Sequence, residues 1–142
     1  MNLSRVLAEK AQRRERLTIQ PKENLSGIKA IITIQNYLGG LYYFTADEVE
    51  VKGNNVFLIE GKHSKTNSLP SLEDIKDGLL KMILFTNLED VGVDREKYKA
   101  TAILKLTVKN HFNENQLSSS QKKILKLLIE EAKINNFQIL LI

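Results

Sequence analysis

Three side chains stand out by type and spacing. Val56-Phe57-Leu58-Ile59 is a run of four apolar residues, and it leads directly into Glu60-Gly61-Lys62. A carboxylate set straight after a buried-looking strand is costly unless it is paired or holds a cation. Side chains alternate along a strand, so Lys62 points to the same side as Glu60. Upstream, Leu41–Val51 reads as a strand, and Lys52-Gly53-Asn54-Asn55 carries the Gly and Asn of a tight hairpin. A Gly53-Asn54 loop sets Asp47 opposite Glu60, about 5 Å apart at Cβ, and an Asn54-Asn55 loop sets it opposite Lys62. Both even registers place Asp47, Glu60 and Lys62 on one face, whereas an odd loop brings Glu48 and Glu50 there instead.

Two adjacent carboxylates repel, so one takes a proton or a cation joins them. Magnesium suits such a pair, because it takes one or two carboxylates and keeps several waters. The Gly61 carbonyl offers a further oxygen. An ion so held polarises a phosphoryl oxygen and helps make hydroxide from water. Lys62 can orient that water or stabilise the charge that grows on the phosphate. The set suits phosphodiester hydrolysis. The competing reading is plain: cross-strand Asp–Lys and Glu–Lys pairs also decorate ordinary sheet surfaces.

The positioning elements follow from hydrophobic period. Residues 3–17 read as a helix with Leu3, Val6 and Leu7 on one face and Arg5, Lys10, Arg13, Arg14 and Arg16 on the other. Ile28–Gln35 is β-branched and reads as a strand. With Leu41–Val51 and Val56–Lys62 it makes an antiparallel meander. Ser71, three residues before Asp74, caps a helix that ends near Asn87, with Leu72, Ile75, Leu79, Met82 and Ile83 expected on its inner face. Glu89–Lys97 is a polar connection. Lys99–Lys109 alternates as a half-buried strand. A last helix follows Ser118–Ser120 to about Asn135, with Ile124, Leu127, Leu128 and Ala132 expected inward, and Phe137–Ile142 is a short apolar strand. The expected class is α/β, a central mixed sheet of a three-strand meander plus crossover strands, flanked by helices.

Asp47 followed by Glu60-Gly61-Lys62 on one hairpin resembles the PD-(D/E)xK nuclease motif. The stretch Phe57-Leu58-Ile59-Glu60-Gly61-Lys62-His63-Ser64 resembles the motif strand of restriction endonucleases and archaeal Holliday-junction resolvases. The order helix, three-strand meander, helix, strand over residues 1–110 resembles the core of that superfamily. Ala46 stands where the family pattern has proline. The resemblance implies a restriction-endonuclease-like core in which Asp47, Glu60 and the Gly61 carbonyl hold Mg2+ and Lys62 acts on water or phosphate. Glu48 and Glu50 are alternative acids, and Glu9 of the first helix is a further one, as some members use a glutamate there. Ser64, Lys65 and Lys76 would meet DNA. The implied activity is that of a magnesium-dependent endonuclease, a type II restriction enzyme first and a Holliday-junction resolvase or repair nuclease second. A non-catalytic nucleic-acid-binding module is the alternative outside enzymology. Cutting both strands needs two sites, so the expected assembly is a homodimer.

The bulk properties bound these readings. The 142 residues fit a single domain spanning residues 1–142. That is short for a complete restriction enzyme, so the expectation is a catalytic core, a subunit or a fragment. Apolar residues are 42% and charged residues 27%, as in ordinary globular proteins. The net charge of +4 is compatible with a polyanion and not diagnostic of one. With no cysteine and two histidines, disulfides, thiolate chemistry and a multi-histidine zinc site are excluded or improbable. No apolar run approaches about 18 residues, and the opening residues lack a signal-peptide centre. The expected address is the cytoplasm, with no membrane partner. Walker, GxGxxG and HExxH patterns are absent from the sequence.

Overall fold

The computed structural model describes residues 28–35, 41–88, 91–93 and 96–142. The helix expected over residues 3–17, with Glu9, and the turn at 36–40 lie outside the described residues. The elements are β1 (Ile28–Gln35), β2 (Leu41–Lys52), β3 (Asn55–His63), α1 (Leu72–Thr86), β4 (Gly92–Val93), β5 (Glu96–Lys97), β6 (Lys99–Thr107) and a 3-10 turn (Glu114–Gln116), followed by α2 (Ser119–Asn135) and β7 (Gln138–Leu141). The main sheet has the order β1-β2-β3-β6-β7, and β4 and β5 form a separate two-strand ladder. The sheet is mixed, since β1 and β2 are antiparallel while β6 and β7 are parallel. The class is therefore α/β, as the alternation of strand and helix patterns requires.

By internal contacts the chain divides into two compact units. The first comprises Met1–Leu58 with Leu88–Ala100 and the second Ile59–Asn87 with Thr101–Ile142. In the first unit, the β2–β3 turn is Gly53-Asn54, with Gly53 at φ +58°. A positive φ at the first loop position is the mark of a II′ hairpin, and glycine adopts it without a Cβ penalty. The unit's core includes Ala46, Val49, Val51, Val56 and Leu58, all buried. Beyond the meander, β4 and β5 pair Gly92 with Lys97 and Val93 with Glu96, inside what the sequence presents as a polar connection.

The second unit is built around β6. Leu104 and Leu106 are fully buried and Ala102 and Val108 nearly so, the alternation expected of a strand with one covered face. α1 starts where the Ser71 hydroxyl accepts from the Asp74 N–H at 3.2 Å, a cap worth about 1 kcal/mol. It stops at Asn87, whose backbone N–H donates to Leu84 and Phe85 carbonyls. Its buried residues are Ile75, Gly78, Met82 and Phe85. This corrects the expected inner face: Leu72 and Ile83 are 47% and 52% exposed. The helix is rotated because its point of closest approach is a glycine, not a leucine.

α2 is capped by Ser118, whose hydroxyl accepts from the Gln121 N–H at 3.3 Å. It ends at Asn136 in the left-handed region, φ 58°, a conformation asparagine tolerates better than most residues. Leu125, Leu128 and Ala132 are its buried residues, whereas Leu127, expected inward, is 55% exposed. β7 then lies parallel to β6, Leu104 beside Ile139 and Leu106 beside Leu141. Helix α2 is thus the crossover that a parallel pair needs.

Candidate functional site

Glu60 and Lys62 both lie in the second unit. Glu60 is 7% exposed, with Ser64 one of two polar residues in the described core. The Lys62 ammonium stands 3.5 Å from Glu60 Oε1, and the two side chains keep only 21% and 9% of their accessible surface. A buried carboxylate therefore has its cation beside it on the same strand, as alternation requires. Bare burial of either charge would be costly, and the pair offsets that cost by proximity.

Gly78 of α1 makes the room. A Cβ at this position would stand 2.5 Å from Leu104 Cδ1 and 3.6 Å from Lys62 Cγ. The helix backbone thus packs closely on Leu104, with the aliphatic stem of Lys62 nearby. Replacing Gly78 by valine should destabilise the chain by about 2 kcal/mol through overpacking. Thermal unfolding of Gly78→Val against the parent checks this, and an unchanged melting temperature would show that α1 does not pack tightly on Leu104.

The acids of β2 belong to the first unit. Ile28 pairs with Val49 but Ala30 with Ala46, so Asp47 and Glu48 together stand opposite the single Lys29. This is a β-bulge. Ala46, rather than Asp47, continues the buried series of Val49 and Val51, and Asp47 is exposed. The regular alternation that the sequence suggested for Asp47 is therefore broken at this residue. Glu48 and Glu50 are half-buried, and Glu50 Oε1 lies 2.9 Å from Lys52 Nζ. Among the described residues no group of three or more His, Asp or Glu side chains could hold a metal ion.

The residues expected at DNA are placed as follows. Ser64 is buried, and its hydroxyl is 3.1 Å from that of Thr66 and accepts from the Thr66 N–H at 3.2 Å. It shapes the loop rather than presenting a free hydroxyl. Lys65 is exposed beside it. Lys76 is exposed on α1, with Nζ 3.4 Å from Glu73 Oε1. Such a surface pair contributes little. His63, adjacent to the motif, is exposed, and its Nδ1 is 2.8 Å from Thr107 Oγ1. No signal in the sequence links residues 63 and 107, because only the β3–β6 arrangement brings them together. Among the described residues, no helix is long and apolar enough to cross a membrane.

No family model, no curated protein and no solved structure matches this chain.

Proposed function

We propose that the chain is a magnesium-dependent endonuclease core of the restriction-endonuclease-like class, acting on DNA phosphodiesters. One observation carries the reading: a buried carboxylate and a largely covered ammonium, two residues apart on β3, stand 3.5 Å from each other. A surface decoration would leave both groups in solvent. The element order supports the same reading in part, since β1, β2 and β3, then α1, then β6 follow the meander, helix and strand that the resemblance implies, with the short β4–β5 ladder between α1 and β6.

Glu60 and the Gly61 carbonyl would hold Mg2+ together with an acid from β2, Asp47 first and Glu48 or Glu50 in reserve. The ion would supply Lewis-acid activation of the phosphate and of water. The Lys62 ammonium hydrogen-bonds the attacking water or the non-bridging oxygen on which charge develops. A type II restriction enzyme, working as a homodimer with one site per strand, is the specific form proposed.

Plasmid nicking tests the reading. Supercoiled DNA should be nicked with Mg2+ and left intact with Ca2+. Supercoiled substrate that survives prolonged incubation with Mg2+ or Mn2+ would leave a non-catalytic nucleic-acid-binding module in its place.

A further inference from the structure

We infer that the loops leaving β3 and β6 form a separate contact surface for the phosphate backbone of duplex DNA. The inference rests on the nuclease reading for its choice of polyanion, and uses residues outside the Glu60–Lys62 pair. His63, Lys65, Lys109 and His111 are all exposed, and all lie in the second unit. From Gly61 to Leu72 and from Thr101 to Asn113 the chain carries no aspartate or glutamate. The chain as a whole has 17 acids to 21 lysines and arginines, so two neighbouring stretches with cations and no acids depart from its average.

The backbone fixes these loops side by side. The Ser64 N–H donates to the Thr107 carbonyl at 2.8 Å and the Lys109 N–H donates to the Thr66 carbonyl at 2.9 Å. The Asn110 N–H donates to Asn67 Oδ1 at 3.2 Å. Within the first loop, the Ser68 N–H donates to Thr66 Oγ1 at 3.2 Å, alongside the Ser64–Thr66 hydroxyl pair. Lys65 and Lys109 are thereby anchored on two cross-linked segments. His63 Nδ1 lies 2.8 Å from Thr107 Oγ1, which ties the exposed ring to the second segment. Such a set of donors on a braced backbone suits successive phosphates, which position a duplex without reading its sequence. Its location one residue beyond Lys62 sets the bound strand next to the proposed catalytic pair.

The test is fluorescence anisotropy of a labelled DNA duplex in EDTA, titrated at several salt concentrations. Each lost phosphate contact lowers the slope of log K against log salt by about 0.9. Combining Lys65→Ala with Lys109→Ala should therefore lower it by about 1.8. The control combines Lys126→Ala with Lys133→Ala on α2 and should keep the parent slope. Equal slopes for the Lys65/Lys109 variant and the parent, an equal drop in the control, or tighter binding of an RNA duplex would each overturn the proposal. Binding in EDTA requires no cleavage, so the two readings fail separately. A lowered slope without nicking removes hydrolysis and keeps the surface, while nicking with an unchanged slope does the reverse.

Discussion

Lys62→Met should lower Mg2+-dependent nicking by about 10²-fold or more, the usual cost of removing one preorganised donor from a developing negative charge. Methionine keeps the unbranched stem that packs against Gly78, so the change is confined to the ammonium. It also removes the cation beside Glu60. Removing one partner of a buried pair typically costs about 3–5 kcal/mol, and the 21% exposure of the Lys62 side chain puts the expectation at the low end. Stability and catalysis can be separated by a double-mutant cycle. Glu60→Gln together with Lys62→Met removes both charges and should recover most of the lost stability while restoring no nicking. If Lys62→Met cuts as fast as the parent, the ammonium has no part in the chemistry.

The second large effect is on metal-linked stability. An ion that binds only the folded state at a hundred times its Kd stabilises by about 2.7 kcal/mol. For a chain of this length that corresponds to a rise in melting temperature on the order of 10 °C. The parent should show this rise in Mg2+ and Glu60→Gln should not, since an amide is a poor replacement for a charged oxygen ligand. The readout needs no substrate. A parent whose melting temperature ignores Mg2+ would confine Glu60 to a structural ion pair with Lys62.

Local chemistry made much of this architecture legible. Ser71 and Ser118 cap helices because each can accept a backbone N–H three residues on, and both helices start where those serines stand. Gly53 announces its hairpin because few other residues accept φ +58°. Glu60 and Lys62 are joined by strand parity alone, a property of two-residue spacing that survives any register. What long-range packing decides was hidden. The inner face of α1 turns on Gly78, which no hydrophobic count selects, since its contribution is the absence of a side chain against Leu104. Leu127 is as apolar as Leu128, and only the approach of α2 to its neighbours leaves the first exposed and the second buried. Asp47 shows the limit most clearly. Strict alternation carries it to the face of Val49, but one extra residue in β2 opposite Lys29 interrupts that alternation, and the sequence Ala46-Asp47-Glu48-Val49 has no glycine to announce a bulge.

The central claim is that the buried Glu60 carboxylate is a metal ligand with Lys62 as its chemical partner. Anomalous diffraction from crystals soaked in Mn2+ addresses it directly. The account predicts one ion bonded to Glu60 and to the Gly61 carbonyl. Crystals with no ion at Glu60 in millimolar Mn2+, its carboxylate still paired with Lys62, would contradict it.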